Sequence, residues 1–431
     1  MFLRTNAPGS RHVRARARAL FLVLALGSVT AYAQDAAMTL DAALQSATDR
    51  SSAMQAAQAG VRAGSEAAVK AGQLPNPMLT AGVDNLPIDG PQRFTIGQDF
   101  MTQRRIGIEQ EWVSPKKRRL RSSLADRKVD RERSDYLAQL ASVRERAAAA
   151  WLSAVYAKKA LTLQEDLADH MAHELAATEA SYRGAKATAA DVAQAQVMLA
   201  QTQDDLLKAQ QTYRSALITL SRWTAVPVGD VVGEPPEARS GVAELPPDRL
   251  RKVQPALIAA AADVAVADAA TAVASSDRSP NWTWDVSYQQ RGGAYSNMVS
   301  IGVTIPLPLD RKDREDRDVA EQAELATQAR LTLDETQRQV EADIQNLAVR
   351  LETGRERLAQ FKQTLLPAAD RRVRLADAAY RGGTGSLADT FAARRAQLDA
   401  QLQILDLRRD VSLDWARLDY QVVPPAMAAA E

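Results

Sequence analysis

The chain has 431 residues, with 54 Lys plus Arg against 53 Asp plus Glu, three His and no Cys. A net charge of +1 supplies no bulk basic field for nucleic acid. The lack of cysteine excludes disulfides, thiolate metal sites, a cysteine nucleophile and an N-terminal cysteine lipid.

Residues 1–33 have the layout of a secretory signal peptide. Arg11, Arg14, Arg16 and Arg18 precede the apolar run ALFLVLALG, and Ala31-Tyr32-Ala33 makes a small-x-small cleavage site before Gln34. The run is about half the length of a spanning helix, so it reads as a cleaved export signal, and no later run approaches a transmembrane helix. Export places the mature chain in the periplasm, outside the cell, or in the outer membrane of a Gram-negative bacterium.

The mature chain repeats itself. Pro75-Asn76 is echoed by Pro280-Asn281, IGIEQEW from Ile106 by IGVTIPL from Ile301, and YRGAKATAADV from Tyr182 by YRGGTGSLADT from Tyr380, at offsets of 205, 195 and 198. The halves span 34–223 and 253–420. Between them, 224–252 is rich in proline and glycine and reads as a linker or equatorial region, and 421–431 is a tail.

Each half opens on an alanine-rich helix, with Thr39 as N-cap in the first and Pro255 at the helix start in the second. Two strand-like runs follow, then a long helix, a tight turn and a second long helix. Neither glycine nor proline occurs over 116–183 or 185–226; the second half has matching runs at 309–353 and 386–423, with a break at Gly354 and Pro367. A sixty-residue helix is about 90 Å long, too long for a compact globule. Val192, Leu199, Leu206, Tyr213 and Leu220 recur every seventh residue, with Ala195, Thr202, Ala209, Ala216 and Trp223 three further on, making a coiled-coil seam. The matching column of the other half, Thr390, Gln397, Ile404, Val411 and Leu418, is apolar only in its last three positions.

The strands alternate. Trp282, Trp284, Val286 and Tyr288 fall on one face and Thr283, Asp285, Ser287 and Gln289 on the other; Val299, Ile301, Val303 and Ile305 alternate with Ser300, Gly302 and Thr304. In the first half Leu79, Ala81, Val83, Ile106, Ile108 and Trp112 are apolar partners of the polar set that holds Asp84, Glu109 and Glu111. Strands of about nine to eleven residues with tryptophan on the apolar side fit a transmembrane β-barrel, although a soluble sheet with one wet face shares the alternation. Four strands cannot close a barrel. The fold class expected is mainly α with a transmembrane β-barrel, from a duplicated strand-strand-helical-hairpin unit with four strands per chain; the chain must oligomerise, and a homotrimer would supply a 12-stranded barrel above a long α-barrel.

Gly184, Gly382, Gly383 and Gly385 let the two turns reverse sharply, left-handed where needed, and Thr188 and Ser386 lie where a hydroxyl caps the returning helix. Asp191 and Asp389 fall in the first turn, where a carboxylate also suits the helix dipole. His170 and His173 sit three apart on a helix beside Asp169 and Glu174; a metal site and a charged coiled-coil surface both account for them. The runs KKRR at 116–119 and RKDREDR at 311–317 follow the strands and suit anionic lipid headgroups or a solvated helix start. No phosphate loop, nucleophile elbow or HExxH is present, so no enzyme activity and no cofactor are expected.

The duplicated order, the Pro-Asn lead-in to each first strand and the paired motifs YRGAKATAADV and YRGGTGSLADT resemble TolC-type outer-membrane efflux channels over essentially the whole mature chain. LPNPMLTAGVDNLP followed by FMTQRRIGIEQEW is most similar to the branch paired with heavy-metal exporters of the cobalt-zinc-cadmium and copper type. The resemblance implies an outer-membrane duct with a long periplasmic extension, in contact with outer-membrane lipid. It also implies that the two turns dock a periplasmic adaptor (membrane fusion protein) joined to an inner-membrane RND-type pump. It assigns Gly184, Thr188, Ala189, Gly382, Gly385, Ser386 and Leu387 to adaptor contact. Asp191 and Asp389 match the acid lining the family's periplasmic constriction, and Arg183 and Arg381 are placed as ion-pair partners that hold the tips shut. Some members carry a second acid three residues later, where this chain has Gln194 and Ala392. With the apolar strand faces on lipid, Asp84, Glu109, Glu111 and Asp285 look inward, and rings of carboxylates favour cations. The rival readings are a multidrug or type I secretion channel and, from another class, a periplasmic structural coiled-coil protein.

Overall fold

A computed structural model describes residues 37–424; the signal segment 1–33 and residues 425–431 of the tail lie outside the described residues. The first half runs α1 (Leu40–Arg50), α2 (Ser52–Ala71), β1 (Met78–Asp84), β2 (Gln103–Trp112), α3 (Pro115–Arg183) and α4 (Ala189–Thr224). The second runs α5 (Pro247–Val253), α6 (Pro255–Asp277), β3 (Trp282–Gln290), β4 (Met298–Thr304), α7 (Glu315–Gln363), α8 (Leu365–Arg381) and α9 (Leu387–Tyr420). Thr39 caps α1 through its hydroxyl, and Ser51 ends α1 and caps α2, so the alanine-rich opening is two helices. With 69 residues, α3 is about 100 Å long.

The strands form one antiparallel sheet in the order β1-β2-β3-β4. Its register joins the two faces read from the alternation. Leu79 pairs with Ile108, Ile106 with Tyr288, Val286 with Ile301 and Trp112 with Trp282, while Thr80 pairs with Gly107, Glu109 with Asp285 and Ser287 with Ser300. The apolar face is bare: Leu79 is 71% exposed and Ile301 77%. On the polar face Ser287 and Gln289 are buried. Gly107 and Gly302 lie on that face. A Cβ at Gly107 would meet the Ser287 Cβ at 2.8 Å, and the Asp285 carboxylate fills the space above Gly302, so the glycines let the polar side close in. β1 and β4, seven residues each, are shorter than β2 and β3, and Pro77 and Pro306 lie just beyond their helix-side ends.

The main core gathers the middle of α3 (Trp151, Leu152), the ends of α4 and α9 (Leu220, Trp415, Leu418) and the start of α6 (Leu257). Part of 224–252, the segment that reads as a linker or equatorial region, is packed onto it. Met38 and Val231 form a parallel bridge, Trp151 Nε1 donates to the Met38 carbonyl at 2.8 Å, and Trp415 Nε1 donates to the Arg239 carbonyl at 2.9 Å. Lys158 holds Asp230 at 2.6 Å, and the Tyr213 hydroxyl donates to the same carboxylate.

Three sequence expectations are corrected. The second hairpin does not break at Gly354, which lies inside α7 against Val411; the break is at Thr364, with Pro367 in the first turn of α8. Left-handed backbone at the first turn falls on Ala185 (φ 55°), not on Gly184. Finally, α6 is long and apolar enough, by length and composition, to cross a membrane. Its Asp263, Asp268 and Asp277 are instead ion-paired to Arg131 on α3, Arg330 on α7 and Lys117 on α3, which fixes it alongside those helices.

Candidate functional site: the hairpin tips and the polar face of the sheet

Both turns are built the same way. The Gly184 and Gly382 amides donate to the carbonyls four residues back, Ala180 and Ala378, closing the first helix of each hairpin. The chain then passes through one left-handed residue, Ala185 or Gly383. The Thr188 hydroxyl accepts from the Asp191 amide at 3.2 Å, and the Asp191 carboxylate accepts from the Thr188 amide at 2.8 Å. Ser386 and Asp389 repeat this reciprocal cap, so each returning helix starts on a capping box. The Thr188 and Ser386 hydroxyls also donate to these carboxylates at 2.7 Å, and the bonds from the Thr188 backbone and hydroxyl and from the Ser386 hydroxyl and backbone hold both carboxyls below their ordinary value.

The remaining tip residues divide. Gly184, Thr188, Ala189, Gly382 and Ser386 are exposed and Gly385 is half-buried. Leu387 is 2% exposed, in a cluster with Met171 and Phe391. It therefore staples the two hairpins together and is closed to an adaptor within this chain. Among the described residues neither Arg183 nor Arg381 has a carboxylate within salt-bridge range. The ion pairs lie further along the hairpins: Arg395 on α9 reaches Asp205 on α4 at 2.5 Å, and Arg394 reaches Asp377 on α8 at 3.2 Å. Nothing local in the sequence marks the first pair, whose partners are 190 residues apart.

On the sheet, Asp84, Glu109, Glu111 and Asp285 share one face, but they are not equivalent. Asp84 is paired with Arg105 at 3.2 Å, and Glu111 accepts from the Asn281 amide at 2.7 Å. Glu109 and Asp285 sit directly opposite each other across β2 and β3, and neither has a cationic partner among the described residues. Asn281 also accepts from the buried Lys117 ammonium at 2.9 Å, and Lys117 meets Asp277 at 3.3 Å. The Pro-Asn lead-in of the second half thereby locks the sheet onto α3 and α6. His170 and His173 are exposed, and no group of three or more metal-ligating side chains occurs among the described residues.

Residues 247–420 match the model of the outer membrane efflux protein family. No curated protein matches the chain. Among solved structures, a membrane protein from Pseudomonas aeruginosa superposes with a TM-score of 0.77 at 15% identity, covering 89% of each chain. The Campylobacter jejuni CmeC outer membrane channel gives 0.74 at 14% identity, over 89% of this chain and 85% of its own. CusC, described as forming a transmembrane channel, gives 0.72 at 14% identity over 88% and 90%. The chain shares the fold of these solved membrane channels.

Proposed function

We propose that the chain is an outer membrane efflux protein throughout: the passive exit duct of a tripartite efflux system, working as a homotrimer with a periplasmic adaptor and an inner-membrane RND-type pump. The observation that carries this reading is a four-stranded sheet with one exposed apolar face and two bare edges, joined to helical hairpins about 100 Å long. Pairing β4 of one copy with β1 of the next satisfies both edges and yields twelve strands. The apolar face then meets lipid. At its helix-side rim Trp112 and Trp282 pack against each other at a tilt of 37° with centroids 5.9 Å apart, Leu307 and Leu309 are exposed, and Lys116, Arg119, Lys312 and Arg314 follow in sequence. This order of apolar, aromatic and cationic groups suits a membrane interface.

The cargo we assign is a heavy-metal cation. The assignment rests on the resemblance of 74–112 to the heavy-metal branch and on the unpaired Glu109 and Asp285, which threefold symmetry repeats into a ring of six carboxylates. Asp191 and Asp389 are assigned to the periplasmic constriction and the exposed tips to adaptor docking. Two measurements test this. The chain should stay with the outer membrane after high-salt and urea washes, whereas a periplasmic coiled coil would be released. A deletion strain should be sensitive to zinc, cobalt, cadmium, copper or silver salts. Sensitivity to hydrophobic drugs and detergents with metals tolerated would keep the duct and discard the metal.

A further inference from the structure

Midway along the molecule, where α7 gives way to α8, an open cleft of about 520 Å³ lies between α3, the packed stretch 234–238, the end of α7 and α9. That volume is within the range of small-molecule sites. Six charged side chains line it. Lys159 is paired with Glu234, Arg355 with Glu352 and Glu237 with Arg239. Lys362 and Arg408 have no carboxylate within salt-bridge range among the described residues, and they leave the cleft with two uncompensated positive charges. Both line the same cleft, and partial burial, and then the Arg408 guanidinium, hold the Lys362 ammonium below its ordinary value.

The floor is polar and built. The Tyr156 hydroxyl and Ser412 Oγ share a buried hydrogen bond of 2.8 Å. Two hydroxyls joined by one bond retain one proton free to donate. Pro235, Pro236 and Leu358 supply an apolar wall. Two unpaired like charges lining one cleft with a free hydroxyl donor are unfavourable until an anion enters, and a guanidinium with an ammonium matches the oxygens of a phosphate or of paired carboxylates.

We infer that this cleft binds a small organic dianion, a phosphate monoester or a dicarboxylate, held between Lys362 and Arg408 with the Tyr156–Ser412 pair donating to it. The site goes beyond the exit-duct reading and does not depend on it. It adjoins the Thr364 interruption between α7 and α8, so an occupied cleft ties the end of α7 to α9 beside the start of the helix that leads to the second tip.

The test is calorimetric titration of the purified full chain in detergent with glycerol phosphate and with succinate, using glycerol as the uncharged control. One or both dianions should bind and glycerol should not; the stronger of the two identifies the ligand class. K362Q and R408Q should each weaken binding at least tenfold, while K312Q on the exposed rim should leave it unchanged. Hydrogen exchange of the unmodified chain provides a check free of variants: the dianion that binds should slow exchange around Gln360–Thr364 and Tyr156. Failure of both dianions to bind, equal binding by K362Q and R408Q, or protection confined to other regions would each overturn the assignment.

Discussion

Arg395 on α9 donates to the Asp205 carboxylate on α4 at 2.5 Å, and this pair ties one helical hairpin to the other. Arg395 also reaches Asp399 at 3.2 Å, and Lys208 lies on the other side of Asp205 at 3.4 Å, so the pair belongs to a small network. The hydrogen bond from Arg395 is the largest influence holding the Asp205 carboxyl below its ordinary 3.8. A lowered carboxyl contributes stability that is present above the unfolded value and is lost as pH falls through the folded one. R395Q should therefore cost about 0.5–1 kcal/mol near neutrality, a figure already reduced for solvent screening, and nothing once Asp205 is protonated in both chains. Melting curves of R395Q, D205N and the double variant check this: at pH 7 the two changes should be less than additive, and the R395Q deficit should shrink as pH is lowered below 3.8; additive effects at pH 7 would show that the pair is not the cause.

Ala185 occupies the left-handed turn position that Gly383 fills in the other half (φ 55° and 74°). A Cβ in that conformation costs roughly 1–2 kcal/mol, and the entropy a glycine returns to the unfolded chain offsets part of it. A185G should accordingly stabilise the first tip by about 0.5–1 kcal/mol, and G383A should destabilise the second by a similar amount. Hydrogen exchange at Ala185–Ala187 and Gly383–Gly385 reads each tip locally, which a global melt of so long a molecule would not.

The capping boxes separate two roles that Asp191 and Asp389 combine. Removing the hydroxyl partner, T188A or S386A, should cost about 1 kcal/mol of tip stability each while leaving both carboxylates in place. D191N and D389N remove the charge and keep a capping side chain. If these acids line the constriction, D191N and D389N will change single-channel conductance and cation preference in a bilayer more than T188A and S386A do. Equal effects of the two pairs would assign the carboxylates to capping alone.

How much of this the sequence held depends on how local each signal is. The sheet's two faces come from a period of two, and register only had to join Leu79 to Ile108 and Glu109 to Asp285. The seam from Val192 to Leu220 comes from a period of seven, and the caps from Thr188-x-x-Asp191 and Ser386-x-x-Asp389, three residues apart. By contrast, the pairing of Asp84 with Arg105 is a contact between strands, and it neutralises one of the four acids on the polar face. Leu387 reads as an exposed tip residue until Met171, from a helix two hundred residues earlier, is packed on it. Ala185 shows no glycine signature, because the turn accepts strain in one half that it avoids in the other.

Gly354 is the position where local and tertiary rules conflict most sharply, and its substitution has a sign worth measuring. Glycine inside a helix is about 1 kcal/mol worse than alanine, so propensity favours G354A. A Cβ there would meet the Val411 Cγ2 at 2.6 Å, and Val411 is buried in the main core. A valine in a helix has essentially one χ1 well, so its methyl cannot swing aside cheaply, and overpacking of this kind costs about 1–3 kcal/mol. The clash should win, leaving G354A less stable by up to about 2 kcal/mol. V411A removes the obstructing methyl, so G354A/V411A should be more stable than the sum of its single variants predicts, with a coupling of about 1 kcal/mol or more. Thermal melts of the three variants and the parent decide it. A G354A chain more stable than the parent would mean that α7 and α9 are not in close contact here, and that the glycine marks a place where the long helix was meant to bend.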